Sequence, residues 1–235
     1  MATRYQKEYP FAKEWVSVTT ICGQLEKPYL YSWYGKLGWE AASTINKNSK
    51  KIGALIDQEI CHYFGDEPDE DGKIIKEARV LINTDAQSKE YYLSSVNNFH
   101  IFVDKYKPKS VLGQKVVYSK THEYIGTLDR LLIVDGKLAL VDWKATNSLS
   151  YEYKMQLEAY YRALTEMVDT GILVVDTKKW HKEALWLVQL PKKEAIDLDK
   201  NVVKFESSDK RFDNFKALLK FYYGKREEEK EYAEK

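Results

Sequence analysis

Acidic residues that stand two positions before a lysine recur along this sequence, and such pairs can support metal-dependent chemistry. Carboxylate oxygens suit a hard divalent cation such as Mg²⁺ or Mn²⁺. A lysine two residues further along a strand projects from the same face, because strand side chains alternate. Such tripeptides begin at Asp71, Asp135, Asp142, Glu152, Asp176 and Glu228. A tripeptide alone is a weak signal, so its surroundings must decide which of them forms a site.

The tripeptide that begins at Asp142 differs from the others because a second acid is placed to join it. An Asp-Gly pair at positions 135–136 is a strong hairpin signal, and it separates two segments of strand-like composition, residues 124–134 and 137–143. Antiparallel pairing about this turn would make Asp129 and Asp142 near-mirror positions on neighbouring strands. The alternatives are a bulge that shifts the register and an exposed hairpin with ordinary surface ion pairs.

A helix predicted over residues 151–168 adds two polar side chains to this group. Gln156 and Tyr160 are four residues apart and therefore lie on one face of that helix. The motifs follow one order along the chain, namely Gly126-Thr-Leu-Asp129, Asp142-Trp-Lys144 and Gln156-Leu-Glu-Ala-Tyr160. In this arrangement the carboxylates would hold a cation, and the ammonium would orient or help to deprotonate an attacking water.

This combination of motifs resembles that of the RecB-like nucleases of the PD-(D/E)XK superfamily, which include small viral and mobile-element exonucleases. Their pattern is GxxD, then (D/E)xK, then QxxxY, and the match spans roughly residues 111–168. Weaker echoes lie upstream, in residues 17–21, in residues 27–33 and in the helix that contains Gly53 and Asp57. The resemblance implies an α/β fold with a restriction-endonuclease-like (PD-(D/E)XK) core, a mixed central sheet and an N-terminal helical elaboration.

The resemblance also implies a role for each residue of the first two motifs. Asp129, Asp142 and Lys144 would be the catalytic residues. The metal ligands would be Asp129, Asp142 and the backbone carbonyl of Trp143. The expected cofactor is therefore Mg²⁺ or Mn²⁺.

Four further positions complete the site that the resemblance implies. Gln156 and Tyr160 would organise the site or hold the DNA strand. Many relatives carry a histidine where Asp57 stands, and this aspartate would either bind metal, in a second ion site, or form a salt bridge. Relatives often carry a glutamate where Gln114 aligns. A neutral amide binds metal less well, which favours one-metal occupancy or a DNA-contacting role for Gln114.

Metal and lysine together stabilise charge on phosphorus, so the implied substrate is a phosphodiester. The resemblance implies DNA, and we expect an exonuclease that processes DNA ends for recombination, repair or replication. The sequence has no GxxxxGK[ST] motif, so unwinding would come from a helicase partner or from the DNA end itself. An annealing protein is the other partner implied. The alternatives are a structure-specific endonuclease and a non-catalytic DNA-binding or assembly subunit built on a nuclease fold.

Two lysine clusters and one aromatic group are candidates for DNA contacts. The lysines are Lys47, Lys50 and Lys51, and also Lys105, Lys107 and Lys109. Clusters of this kind are more often solvated faces than binding sites. Trp33, Tyr34 and Trp39 would stack on unpaired bases, although core packing is the expected use of at least two of them.

The chain as a whole has 235 residues and a net charge of +1, so DNA binding would depend on local patches. Its length predicts one domain with a mainly helical part (17–106), an α/β core (108–223) and a charged tail (225–235). Cys22 and Cys61 lack the spacing of metal-binding pairs, so neither a zinc site nor an iron–sulfur cluster is expected. Without a signal-like or membrane-length apolar segment, we expect a cytoplasmic protein, with a viral origin as one option.

Hydrophobic periodicity predicts the remaining elements. The helical part should break near Gly35 or Gly38 and again near residues 83–85. The other predicted elements are strands over residues 111–118, 171–176 and 184–190 and helices over residues 192–203 and 211–223.

Overall fold

A computed structural model of the protein describes residues 8–66, 72–176 and 179–233. Within these ranges a mixed six-stranded sheet carries helices on both of its faces. The chain therefore has the α/β class that the order of its strands and helices predicts.

The helices lie both before and after the three-stranded meander. They are α1 (Val18–Cys22), α2 (Pro28–Leu37), α3 (Trp39–Phe64), α4 (Gly72–Thr84), α5 (Ala86–Tyr106), α6 (Tyr151–Asp169), α7 (Leu198–Asn201) and α8 (Asp209–Ala233), preceded by a short 3₁₀ helix, Pro10–Ala12. The strands are β1 (Val16–Ser17), β2 (Lys109–Ser119), β3 (Tyr124–Val134), β4 (Lys137–Lys144), β5 (Trp180–Gln189) and β6 (Val202–Phe205).

The sheet combines antiparallel and parallel pairs. Its strands pair in the order β1-β3-β4-β5-β6, and β2 pairs with the other edge of β3. The pairs β2–β3, β3–β4 and β5–β6 are antiparallel, whereas β1–β3 and β4–β5 are parallel. Parallel neighbours need a crossover connection, and α6 forms the crossover between β4 and β5.

The predicted hairpin between β3 and β4 is confirmed. Asp135 and Gly136 both have positive φ angles, 48° and 75°, which a type I′ turn requires at its two central positions. The twist of this turn matches that of the flanking strands, so the hairpin register is set locally.

The sheet separates two apolar cores. On one face Leu138 and Leu140 of β4 contribute to a core with α1, α6 and α8. On the other face Val141 and Trp143 contribute to a core with α3 and α5. Because side chains alternate along a strand, Asp142 points toward the face that α6 covers.

The helical part breaks at the two predicted places. Gly38 separates α2 from α3 and has a φ of 81°, a conformation that glycine adopts without steric cost. Asp85 separates α4 from α5, and its carboxylate accepts a hydrogen bond of 2.9 Å from the backbone N–H of Ser88. This bond satisfies one of the free N–H groups at the start of α5.

The strand predicted over residues 171–176 does not form. Gly171 has a φ of 72°, and the carbonyl of Met167 accepts hydrogen bonds from the N–H groups of Ile172 and Leu173, at 2.8 and 3.0 Å. These bonds cap α6, so the apolar segment serves a helix end rather than the sheet. Val174 is 97% exposed. The positions Thr177 and Lys178, like Asp71, lie outside the described residues.

The helix predicted over residues 192–203 is mostly replaced by a loop and a strand. Asn98 of α5 accepts a hydrogen bond of 2.9 Å from the N–H of Ile196. Its amide group donates to the carbonyls of Pro191 and Glu194, at 2.9 and 2.8 Å. This tertiary contact satisfies backbone groups that a helix would otherwise satisfy, and only the short α7 follows before β6.

The last helix is longer than predicted. α8 begins at Asp209 and continues into the charged tail as far as Ala233. Within the described ranges, no helix combines the length and the apolar character that crossing a membrane would require.

Candidate active site

The β3–β4 hairpin brings Asp129 and Asp142 side by side. Arg130 pairs with Val141, and one further step in the same register sets Asp129 opposite Asp142. The backbone N–H of Trp143 donates a hydrogen bond of 3.0 Å to Oδ2 of Asp129. The predicted juxtaposition of the two acids is therefore confirmed.

Lys144 contacts Asp142 on the same face of β4. Its Nζ atom lies 2.7 Å from Oδ2 and 3.0 Å from Oδ1 of Asp142, and the contact with Oδ1 has hydrogen-bond geometry. The side chain of Asp142 is fully buried, whereas that of Lys144 reaches the surface. A buried carboxylate needs such a charged partner because water no longer solvates it.

Burial and neighbouring charges shift the pKa of both groups. Burial raises the pKa of Asp142, Lys144 opposes this shift, and Asp129 adds to it. Burial alone would lower the pKa of Lys144, but the negative charges of Asp142 and Asp129 outweigh it and raise this pKa. Lys144 is therefore held as an ammonium whose charge offsets the two carboxylates.

Gln156 and Tyr160 of α6 cover this pair of acids, as their spacing predicts. Nε2 of Gln156 lies 3.5 Å from Oδ1 of Asp142 and donates a hydrogen bond of 3.2 Å to the hydroxyl of Tyr160. The ring of Tyr160 packs against Gly126, where a Cβ atom would lie only 2.5 Å from Cε1 of that ring. Gly126 of the GxxD motif therefore leaves the space that the ring of Tyr160, from the QxxxY motif, occupies.

Asp57 and Gln114 also reach the site, although they come from α3 and β2. Nε2 of Gln114 lies 3.0 Å from both Oδ1 and Oδ2 of Asp57. The β2–β3 register sets Gln114 opposite Asp129. Gln114 has a φ of 45°, in the left-handed region that favours glycine. Such a conformation costs about 1–3 kcal/mol and is concentrated at functional sites.

These residues border a single cleft of about 380 Å³. Side chains that line it include Asp57, Gln114, Asp129, Lys144, Gln156 and Tyr160. Asp142 lies behind this lining and contacts it through Lys144 and Gln156. All the motif positions therefore belong to one place in the fold.

The carboxylates of Asp129 and Asp142 are the groups in this site that could hold a divalent cation. Burial and, to a smaller extent, the charge of Asp129 raise the pKa of Asp142, and the ammonium of Lys144 opposes this shift. Within the described ranges, no three His, Cys, Asp or Glu side chains form a cluster that would enclose a metal.

The cleft contains an aromatic residue that the sequence motifs did not indicate. The Nζ atom of Lys144 lies 5.0 Å from the ring centroid of Tyr153, within the range of a cation–π contact. Tyr153 stands three residues before Gln156 on α6, and this spacing is the signal that would have found it. Beside it, Glu152 forms an ion pair of 2.9 Å with Lys27, which ties the start of α2 to α6.

The candidate DNA-contacting residues have different surroundings. Lys47 and Lys50 are exposed on α3, whereas Lys51 pairs with Glu77 at 3.1 Å. The second cluster lies at the far end of the hairpin, since β2 begins at Lys109, which pairs with Ile133 near the turn. Its Lys107 pairs with Asp104, and Lys105 and Lys109 are exposed.

The aromatic group does not pack in the core. Trp39 is 74% exposed, and Trp33 and Tyr34 are half-buried. The expectation that at least two of these rings pack in the core was therefore wrong. Residues 28–37 form a helix that lies on α3 rather than on the sheet.

Neither a scan against protein-family models nor a search of curated proteins found a match to this chain.

Proposed function

We propose that this protein is a metal-dependent DNA nuclease with a restriction-endonuclease-like core. The observation that carries the proposal is the single cleft in which Asp129, Lys144, Gln156 and Tyr160 meet over the buried Asp142. These residues come from three elements and follow the order of the RecB-like nuclease motifs. An accidental DxK tripeptide would not be expected to have the other motif residues beside it.

Each residue has a task in phosphodiester hydrolysis. Asp129 and Asp142 would bind Mg²⁺ or Mn²⁺, which supplies Lewis-acid activation of water and phosphate when bound. The ammonium of Lys144 would offset phosphate charge and orient the attacking water. Gln156 would hold Asp142 and Tyr160 in place through its amide group. The resemblance favours DNA as the substrate and an exonuclease as the mode of action, with recombination, repair or replication as the process served.

A second candidate is a non-catalytic DNA-binding or assembly subunit on the same fold. The observation that favours it is the contact of the Gln114 amide with both carboxylate oxygens of Asp57. This contact occupies a side chain that would otherwise be available to a second cation. The intact group of Asp129, Asp142 and Lys144 favours the nuclease.

The test compares linear, closed circular and flapped DNA in Mg²⁺ or Mn²⁺ buffer. We expect loss of linear DNA alone, and Asp142→Asn and Lys144→Ala should lower the rate by about 10²-fold or more. Lys137→Ala is the matched control, because Lys137 is exposed at the other end of β4. If closed circular DNA is cut as fast as linear DNA, the protein is an endonuclease rather than an exonuclease. DNA binding without cleavage in either metal would favour the subunit.

A further inference from the structure

The α2–α3 junction carries an aromatic cluster, which consists of the exposed Tyr31 and Trp39 and the half-buried Trp33 and Tyr34. The rings of Tyr34 and Trp39 stack with centroids 5.2 Å apart and an interplanar angle of 28°. Trp33 lies edge-on to Tyr34, also at 5.2 Å. Tyr31 is 68% exposed and Trp39 74%. Large aromatic side chains grouped at the surface mark a binding surface more often than an unused one.

Trp39 of the aromatic cluster lies on the same face of α3 as part of the cleft. Trp39 and Asp57 are 18 residues apart on α3, which corresponds to five full turns, so they project in the same direction. Lys50 and Gly53 lie within about 40° of that line. Gly53 and Asp57 line the cleft. One face of α3 therefore leads from the aromatic cluster into the cleft, over about 27 Å.

Exposed lysines lie on α2 and on the first half of α3. From Lys36 to Lys50 the sequence has three lysines and one acid, Glu40. Lys36, Lys47 and Lys50 are exposed. Lysines beside stacked aromatic rings match a phosphate backbone and its bases, because phosphates need cations and every base has a face for stacking. A protein partner would be matched less well, since an apolar partner surface leaves these lysines without counter-charges.

We propose that this face of α3 binds an unpaired nucleic acid strand and guides it toward the cleft. Bases would stack on Trp39, and phosphates would be contacted by Lys50 and by Lys47, which lies about 80° to one side of this line. The proposal rests on the proposed nuclease function and names the substrate class of the same site. A stacked strand covers 27 Å in about eight nucleotides, at roughly 3.4 Å each. DNA ends with an overhang of about this length should therefore bind better than blunt ends.

The experiment measures DNA binding separately from cleavage. Fluorescence anisotropy in EDTA would give the affinities for a blunt duplex and for duplexes with 5′ or 3′ overhangs of about eight nucleotides. The variants are Trp39→Ala and Trp39→Phe, and Phe221→Ala is the matched control, because Phe221 is an exposed aromatic residue on α8. Cleavage in Mg²⁺ is measured on the same DNA.

We expect Trp39→Ala to weaken overhang binding by about tenfold and to leave blunt-duplex binding unchanged, because stacking on one ring is lost. Trp39→Phe should restore most of the affinity, and Phe221→Ala should have no effect. An equal loss on blunt DNA, or no loss at all, would overturn the proposal. The proposal would also be overturned if Trp39→Ala changed the oligomeric state on size-exclusion chromatography but kept the preference for overhangs. The aromatic cluster would then be an interface between copies of the protein.

The two proposals fail in different ways. Overhang binding that depends on Trp39, without any cleavage by the wild-type protein, would contradict the nuclease proposal and support the strand-binding proposal. Mg²⁺-dependent cleavage, with overhang binding and cleavage both unchanged by substitution of Trp39, would contradict the strand-binding proposal and support the nuclease proposal.

Discussion

At the scale of single residues, the candidate site depends on close contacts between side chains from different motifs. Gly126 leaves space for the ring of Tyr160, and Gln156 connects that tyrosine to the buried Asp142. Gln114 keeps an unfavourable backbone conformation while its amide contacts Asp57. Small changes at these positions should therefore affect activity more than their distance from the acids would indicate.

Gly126→Ala should lower both activity and stability. The added Cβ would lie 2.5 Å from Cε1 of Tyr160, so the ring must shift, and overpacking of this kind costs about 1–3 kcal/mol. Urea unfolding and the rate of DNA cleavage would measure the two effects. Gly35→Ala is the control, because no atom lies within 4 Å of its added Cβ and alanine favours the helix. A Gly126→Ala protein as stable and active as the wild type would contradict the packing argument.

Gln114→Glu should make stability more dependent on divalent metal. Without metal, the new carboxylate would face Asp57 and replace a hydrogen bond by repulsion, at a cost of about 1 kcal/mol or more. With Mn²⁺, two adjacent carboxylates should bind the ion more tightly and raise the free energy of unfolding by mass action. Urea unfolding with and without Mn²⁺ measures the difference, with the exposed Gln87→Glu as control. If Mn²⁺ raises the free energy of unfolding of Gln114→Glu only as much as that of the wild type, a metal does not bind near Asp57.

Tyr153→Leu should weaken the function of Lys144 without unfolding the protein. The substitution removes the ring 5.0 Å from Nζ of Lys144, whereas Tyr153→Phe keeps it. We expect a several-fold lower kcat for the leucine variant, a KM near that of the wild type, and recovery with phenylalanine. If phenylalanine and leucine are equally impaired, the hydroxyl rather than the ring is the important group.

At the scale of elements, a buried glutamate joins α6 to the start of α8. Glu158 is fully buried, and its carboxylate accepts hydrogen bonds from Arg162 at 2.9 Å and from Arg211 at 2.7 Å. It also accepts from the hydroxyl of Ser207 and the backbone N–H of Ser208, at 2.6 and 3.0 Å. Because α6 also carries Gln156 and Tyr160, this network helps to fix the helix that covers the candidate site.

Glu158→Gln should destabilise the protein by about 2–4 kcal/mol, because it leaves two arginines beside a neutral group in a mostly buried position. The exposed pair Lys216–Asp213 offers the control, since Asp213→Asn should change the free energy of unfolding by less than about 1 kcal/mol. Urea unfolding monitored by circular dichroism measures both variants. If Glu158→Gln lowers the free energy of unfolding no more than the control does, the network contributes little to stability.

At the scale of the whole molecule, the two cores on either side of the sheet each enclose or adjoin a cysteine. Cys22 is buried with α1 in the core beneath α6, and Cys61 is buried on α3 near Arg130. Burial raises the pKa of each thiol to about 12. Both thiols are therefore protonated and inaccessible in the folded protein.

A thiol reagent should report the unfolding of both cores. At pH 8 we expect no reaction of Cys22 or Cys61 with Ellman's reagent in the native protein, and reaction of both in concentrated urea. An added thiol at an exposed position of α3, Thr44→Cys, should react at once and serves as the positive control. Fast reaction of one native thiol would mean that its side of the sheet opens without global unfolding.

Interactions that are local in sequence could be predicted from the sequence alone. The Asp-Gly turn sets the register that joins Asp129 to Asp142, and helical spacing places Gln156 beside Tyr160. In both cases the partners are separated by a tight turn or by one helical turn, so backbone geometry leaves few alternatives.

Interactions between distant segments were decided by the tertiary structure. Asp57 meets Gln114 from 57 positions away, and Asn98 holds residues 191–196 out of the helix that their pattern predicts. Burial gives Asp142 its raised pKa, whereas Trp39, an apolar residue, stays exposed at the start of α3. Composition and periodicity state which residues are apolar or polar, but only the packing of whole elements determines which of them water still reaches.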